Sequence, residues 1–478
     1  MFSKIKSFLF ENQSLNQKIA KNTFWLFFGQ ITGRTMRAIL IIMAARILGP
    51  ESWGAFSYAM GLVAFMIILS DLGVSAIVTR ESSKNLEIAS QYFSTAFCVK
   101  ILLLIVCSVA LIFGAPYLTK IKEAQMLMPF IAVILIFDSL RNFGFAISRA
   151  HEKMQWEAIN EVVTNIFITL FGIYALYHLP TSASLTMAYM AGTAIGFLLI
   201  VYLFKKYYSE IFKHFNFGLI KPILKSSLPF ALASFLGSIM INTDLIMLGW
   251  MRTPAEVGFY SAAQKPVMLL YTLASLFAIS LFPTLTKLAA ETKDGFRILL
   301  EKSLKITFLV AIPITIGGIL LAPEIISLLY GNEYLPAILS FRILLLTLLI
   351  IFPSVIISNS LLAYNQQNKF IGFSLLGAFG NILFNWILII PFGIAGCAVA
   401  TLFTQIIANM FIWKKMKEVN DFSVFNNKLR KILLASLIMA AIIWILNSFG
   451  SPIILTIPVA ILVYFNLLIK KFKEELFV

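Results

Sequence analysis

The sequence predicts an all-α integral membrane protein of about fourteen transmembrane helices, built as two six-helix lobes followed by two C-terminal helices. Three observations lead there. Apolar residues make up 60% of the chain and charged residues only 13%, against ~45–50% and ~25% in soluble domains. Apolar runs of about twenty residues, the length that crosses a hydrocarbon core, recur from end to end. A weak internal repeat sets two blocks of helices in the same orientation.

Taken in order, apolar runs bounded by charge, Pro and Gly fall near 22–45, 54–79, 94–117, 126–148, 160–178, 184–204, 226–250, 258–283, 303–322, 337–362, 370–390, 394–413, 431–447 and 452–469. Residues 1–21 carry basic side chains but no apolar core ending in a small-residue cleavage site, so they are expected as an amphipathic helix on the cytoplasmic surface rather than a cleaved signal. The expected organisation is that N-terminus, a first lobe at 22–204, a basic cytoplasmic linker at 205–225, a second lobe at 226–413, and the last two helices with a cytoplasmic C-terminus at 414–478.

Direction follows from the 38 Lys and Arg residues. With the N-terminus inside, 28 fall on the inner side, six within spans, and four outside: Arg46, Lys120, Lys122 and Arg252. Every loop is short enough for the positive-inside rule, so both termini are expected in the cytoplasm. The net charge of +16 therefore reads as a topology signal and not as a nucleic-acid surface, because the basic residues form short clusters between apolar runs. The longest outer segment, around APEIISLLYGNEYLP, is too short for a folded extracytoplasmic catalytic domain.

At an offset of 204, LGPESWGAFSYA (48–59) lies on RTPAEVGFYSAA (252–263). Pro50 meets Pro254, Gly54 meets Gly258, Ser57 meets Ser261, Ala59 meets Ala263 and, upstream, Gly33 meets Gly237. Each copy joins the first two helices of a six-helix block, with Pro ending one helix and Gly admitting the turn into the next. An even number of spans per block keeps the copies parallel, an arrangement that in transporters places the substrate between the lobes.

The segment AARILGPESWGAFSYAMGLVAFMIILSDLGVSAIVTRE (44–81) resembles the opening helical pair of bacterial polysaccharide flippases, the Wzx-type (O-antigen) branch of the multidrug/oligosaccharidyl-lipid/polysaccharide exporter superfamily. NILFNWILIIPFGIAGCAVATLFTQ (381–405), an Asn-rich helix followed by a P-x-G-I-x-G turn, resembles the twelfth-helix region of the same superfamily. The resemblance implies a fold like that of the multidrug exporters of this superfamily (MATE-like). It also implies polyprenyl-diphosphate-linked oligosaccharide as substrate, the bacterial inner membrane as location, and the last two helices as candidates for flanking the lipid tail.

Six basic residues lie within spans: Arg34, Arg37, Lys100, Arg141, Lys265 and Arg342. A charge at a helix centre costs ~2.5–3.5 kcal/mol on insertion scales and so should face a partner or a wet cavity. Lys100 and Arg342 are near span ends and are expected to snorkel. Gln30, Arg34 and Arg37 follow i, i+4, i+7 and share one face of the first helix. Two arginines a turn apart repel unless an anion lies between them, and the guanidinium fork matches phosphate oxygens. These three are the leading candidates for a substrate-binding cationic cavity, with Lys265 and Arg141 next. Asp138 and Arg141, three residues apart, can also pair with each other. Asp244, beside Asn242 and without a basic residue within a turn, is the first candidate for an H+ or Na+ coupling site, followed by Asp71 and Asp138. Glu161 is expected only to cap the fifth helix.

No glycine-rich phosphate loop with Lys-Ser/Thr is present, and His151, His178 and His214 form no ligand spacing. Cys98, Cys107 and Cys397 lie in apolar runs without metal spacing. No enzyme activity and no cofactor are expected, apart from coupling to an H+ or Na+ gradient. The expected function is flipping of polyprenyl-diphosphate-linked oligosaccharide to the outer leaflet for surface polysaccharide biosynthesis, among membrane lipids and with a polysaccharide polymerase as a possible partner. A lipid-linked peptidoglycan precursor is the alternative cargo. A cationic drug fits poorly with two arginines and no acid in the first helix, and a membrane glycosyltransferase or polymerase lacks the outer loop it would need.

Overall fold

The computed structural model describes residues 15–85, 88–423 and 427–476. Most of the expected surface helix at the N-terminus lies outside them. The described residues are helical almost throughout and contain no strand. Apolar segments in lipid have no water for their backbone groups, and the helix satisfies every one of them internally.

Eleven described helices are long and apolar enough to cross a membrane. Two of these are bent pairs. Helix α1, Leu15–Asp71, breaks at Gly49 (φ 72°), immediately before Pro50. Positive φ is cheap only for glycine, and Pro fits the first turn of a new helix, where its missing N–H has no partner to lose. In the second copy of the repeat Pro254 likewise opens a helix. The other bent pair, Lys369–Val419, breaks at Gly393 (φ 55°), two residues after Pro391. Fourteen spans are expected from the sequence; the described residues give these eleven, two of them bent, and the shorter apolar helix Ile453–Leu468.

The chain divides into two compact units, Met1–Ser238 with Thr253–Ala255, and Ile239–Arg252 with Glu256–Val478. After α1, the first unit contains α2 (Val74–Lys84), α3 (Ala89–Leu118), α4 (Lys122–Ala150), α5 (Met154–His178), α6 (Ser182–Leu203) and the start of α7 (Ile220–Met251). Small residues let these helices approach closely. A Cβ on Gly29 of α1 would stand 2.8 Å from the Ala158 Cα on α5, and one on Gly33 would stand 2.7 Å from the Asn165 amide. This contact holds the polar stripe of α1 against α5. Phe93, Phe143, Ile147, Ile200 and Phe204 form a buried cluster.

The second unit contains the rest of α7, then α8 (Pro254–Glu291), α9 (Lys293–Leu320), α10 (Ala322–Tyr330), α11 (Ile338–Leu346), α12 (Leu348–Ala363), α13 (Lys369–Val419), α14 (Asn427–Ser448) and α15 (Ile453–Leu476). The segment around APEIISLLYGNEYLP, expected on the outside, contains α10 and the 3₁₀ turn Asn332–Ala337. Arg252 donates to the carbonyls of Ile389 and Ile390 just before the Gly393 bend.

Candidate functional site

Gln30, Arg34 and Arg37 line one cavity of about 320 Å³ in the first unit, so the face they share on α1 is a cavity wall. Its remaining polar lining comes from α4 and α5: Asn142, Arg149, Glu157 and Glu161. Gln30 and Arg34 are exposed and Arg37 is half-buried. Arg37 is loosely held: its Nε donates to Asn165 Oδ1 at 3.1 Å, and Nη2 stands 4.0 Å from Glu161 Oε1. Arg149 donates from Nε and Nη2 to both oxygens of Glu157, at 2.9 and 2.6 Å. The cavity lining thus holds three arginines, Arg34, Arg37 and Arg149, and two carboxylates, Glu157 and Glu161.

Arg141 makes the pairing with Asp138 that its spacing allowed. It is 3% exposed and lines neither cavity described here. Its Nη1 donates to Glu161 Oε2 and its Nη2 to Asp138 Oδ1, both at 2.7 Å. A guanidinium held between two carboxylates is a structural tie, and Asp138 is occupied by the same pairing. Glu161 lies well inside α5 and joins Arg141 to Arg37, a role its expected place as a helix cap did not suggest.

Lys100 does not snorkel. It is 1% exposed, and its Nζ stands 2.5 Å from Asp71 Oδ1, an oxygen that also accepts from Ser75. The pair lines a second cavity of about 280 Å³ in the same unit, which shares Asn142 and Arg149 with the first. Arg342 donates from Nε to the Ile319 carbonyl at 3.1 Å.

In the second unit Asp244 is 2% exposed. Its Oδ1 accepts from Asn381 at 2.9 Å and Asn385 at 2.8 Å, and its Oδ2 from Tyr260 at 2.6 Å and Thr401 at 2.7 Å. All four donors are neutral, and the Oδ1 of Asn385 is buried without a hydrogen-bond partner among the described residues. Two amide N–H groups and two hydroxyls thus solvate the buried carboxylate. Asn242 is half-buried and outside this set, and Lys265, also half-buried, lines neither cavity.

Sequence reasoning missed Arg149 and Glu157 as cavity lining, and the tie of Asp244 to the Asn-rich helix. The first pair spans the turn between α4 and α5, a position with no periodic signal. For the second, the signal was a buried carboxylate with no local cation, together with paired asparagines at i, i+4 elsewhere in the chain.

Residues 19–289 match the family described as "Polysaccharide biosynthesis protein", and residues 229–387 match the MatE family. The chain is 22% identical to the capsular polysaccharide biosynthesis protein CapF of Staphylococcus aureus, over 82% of this chain and 97% of that one. It is 24% identical to a Shigella dysenteriae protein named for O-antigen transport, over 83% and 100%. Among solved structures it is similar to the inward-closed lipid II flippase MurJ, with a TM-score of 0.77 and 20% identity over 95% and 99% of the two chains. That likeness gives the fold, which is the fold expected from the sequence. With a match extending over more than half its length, this multi-pass membrane chain belongs to the polysaccharide biosynthesis protein family.

Proposed function

We propose that the chain is a flippase that moves polyprenyl-diphosphate-linked oligosaccharide from the cytoplasmic to the outer leaflet of a bacterial inner membrane. Both termini lie in the cytoplasm, and the cavity is exposed alternately to the two sides. The carrying observation is the cationic cavity of the first unit, where Gln30, Arg34 and Arg37 present donors from a membrane helix. The chain is a transporter and not an enzyme, in keeping with its family.

A diphosphate gains from this site in two ways. The guanidinium groups replace water hydrogen bonds with charge-assisted ones, and the low dielectric of the membrane strengthens them. Arg37 is free enough to turn from Asn165 and Glu161 to an incoming phosphate, whereas Arg141 is not. The lipid tail stays in the bilayer while the head group crosses.

Neither arginine supplies net drive. We assign coupling to Asp244, whose buried carboxylate, among the described residues, forms no ion pair and is met only by neutral donors, as a site for a proton or a monovalent cation. Removal of product by an outer-leaflet polymerase would add to that drive.

The test is the leaflet location of lipid-linked oligosaccharide in cells lacking the protein. It should accumulate on the cytoplasmic side, be cleared by the wild-type chain, and remain with Arg34→Ala or Arg37→Ala variants that insert normally. Unimpaired delivery to the outer leaflet in the absence of this and any redundant flippase would refute the assignment.

A further inference from the structure

We propose that the second cavity of the first unit, around the Asp71–Lys100 pair, is the subsite for the sugar next to the diphosphate. This deepens the flippase reading and rests on it.

The cavity is walled by polar groups from five helices: Asp71 at the end of α1, Ser75 on α2, Lys100 on α3, Ser139 and Asn142 on α4, and Ser234 on α7. The left-handed corner Leu72–Gly73 (φ 43° and 74°) turns the chain from α1 into α2 and so places Asp71 and Ser75 on the same wall. Lys100 is fixed from below, 99% buried under Asp71 and 5.6 Å from the centre of the Phe143 ring. Asp71 Oδ1 is taken by Lys100 and Ser75, but Oδ2 accepts from no described residue. Asn142 gives its Nδ2 to Asp138 at 3.4 Å and leaves its Oδ1 to the cavity.

Charge separates the two cavities by chemistry. In the second, Asp71 cancels Lys100, and Arg149 is held by both oxygens of Glu157. It is polar and electrically neutral, whereas the first is lined by three arginines and two carboxylates. A doubly charged diphosphate belongs in the first. The second offers a carboxylate oxygen, an amide oxygen and the exposed Ser234 hydroxyl, a mixture of acceptors and a donor that fits the hydroxyl and acetamido groups of a sugar. Its 280 Å³ is the liquid volume of about nine waters at ~30 Å³ each, which a single sugar unit can displace. The shared residues Asn142 and Arg149 mark the junction, as expected for one head group lying across both.

The experiment measures binding to the purified full chain of two probes, undecaprenyl diphosphate and the same lipid carrying one N-acetylglucosamine. Because Asp71→Asn alone would strand Lys100, the variant is Asp71→Asn/Lys100→Met, which removes both charges together. Its affinity for the glycosylated lipid should fall about tenfold or more, towards that of the bare diphosphate, whose own binding is unchanged. Arg37→Gln is the converse control and should weaken both probes alike. The subsite is overturned if the double variant, melting as wild type, binds the glycosylated lipid unchanged or loses both probes equally. It is also overturned, with the flippase reading intact, if wild type gains nothing from the added sugar. Wild type that binds neither lipid overturns both.

Discussion

Arg37 and Arg141 stand on opposite sides of Glu161, and the structure predicts opposite consequences for replacing each with glutamine. The Arg37 side chain is 40% exposed, with one hydrogen bond of 3.1 Å and an ion contact of 4.0 Å. Contacts of that kind contribute about 0–1 kcal/mol, so Arg37→Gln should leave the melting temperature nearly unchanged. It should instead lose a charge-assisted contact to phosphate of about 1.5–3 kcal/mol, or about 10- to 150-fold in affinity for undecaprenyl diphosphate. Arg141, at 3% exposure between two carboxylates at 2.7 Å, is the reverse case. Arg141→Gln leaves Asp138 and Glu161 without their shared cation, a cost of about 3–5 kcal/mol in stability. Thermal unfolding of the detergent-solubilised variants, paired with lipid binding by native mass spectrometry, separates the two. The reasoning fails if Arg37→Gln destabilises as much as Arg141→Gln, or if Arg141→Gln melts as wild type and loses only binding.

Three further outcomes follow. Asp244→Asn should abolish the dependence of transport on a Na⁺ or proton gradient while leaving undecaprenyl diphosphate binding intact; a variant that keeps its gradient dependence would remove Asp244 from coupling. Gly29→Leu should lower the melting temperature or prevent insertion, since even a Cβ would meet the Ala158 backbone at 2.8 Å and overpacking costs about 1–3 kcal/mol; a normal melting curve would contradict the α1–α5 contact. Burial and nearby Lys153 push the His151 imidazole below its ordinary value, and the ring meets the Tyr207 hydroxyl at 2.7 Å. Below about pH 6.5 the unfolded chain takes up a proton that the folded ring resists, so stability falls on acidification and gains nothing above that pH. His151→Gln should therefore lose less melting temperature between about pH 7 and pH 5 than wild type, and an equal loss would discount this histidine.

Features legible in the sequence were those set by one helix or one turn. The i, i+4, i+7 face of Gln30, Arg34 and Arg37 depends only on helical geometry, and it lines a cavity in the structure. The Gly-Pro bend at Gly49–Pro50 depends only on local backbone chemistry. Pairings between helices were not legible. Lys100 lies 29 positions from Asp71 and Thr401 lies 157 from Asp244, and no periodicity links such residues. Glu161 looked like a helix cap because its helix was placed to begin at 160, whereas α5 begins at Met154, which puts the carboxylate within the span. A buried charge demands a partner, and that rule announced a pairing without naming which one.

The most direct measurement is translocation by the purified chain alone. In proteoliposomes carrying a fluorescent undecaprenyl-diphosphate saccharide in both leaflets, a membrane-impermeant quencher reaches only the outer half of the probe unless the protein exchanges it. The account predicts near-complete quenching with the wild-type chain and quenching of about half with Arg34→Ala/Arg37→Ala, correctly inserted. Quenching that stops at half with the wild-type chain, under either a Na⁺ or a proton gradient, would contradict the claim that this protein flips lipid-linked saccharide.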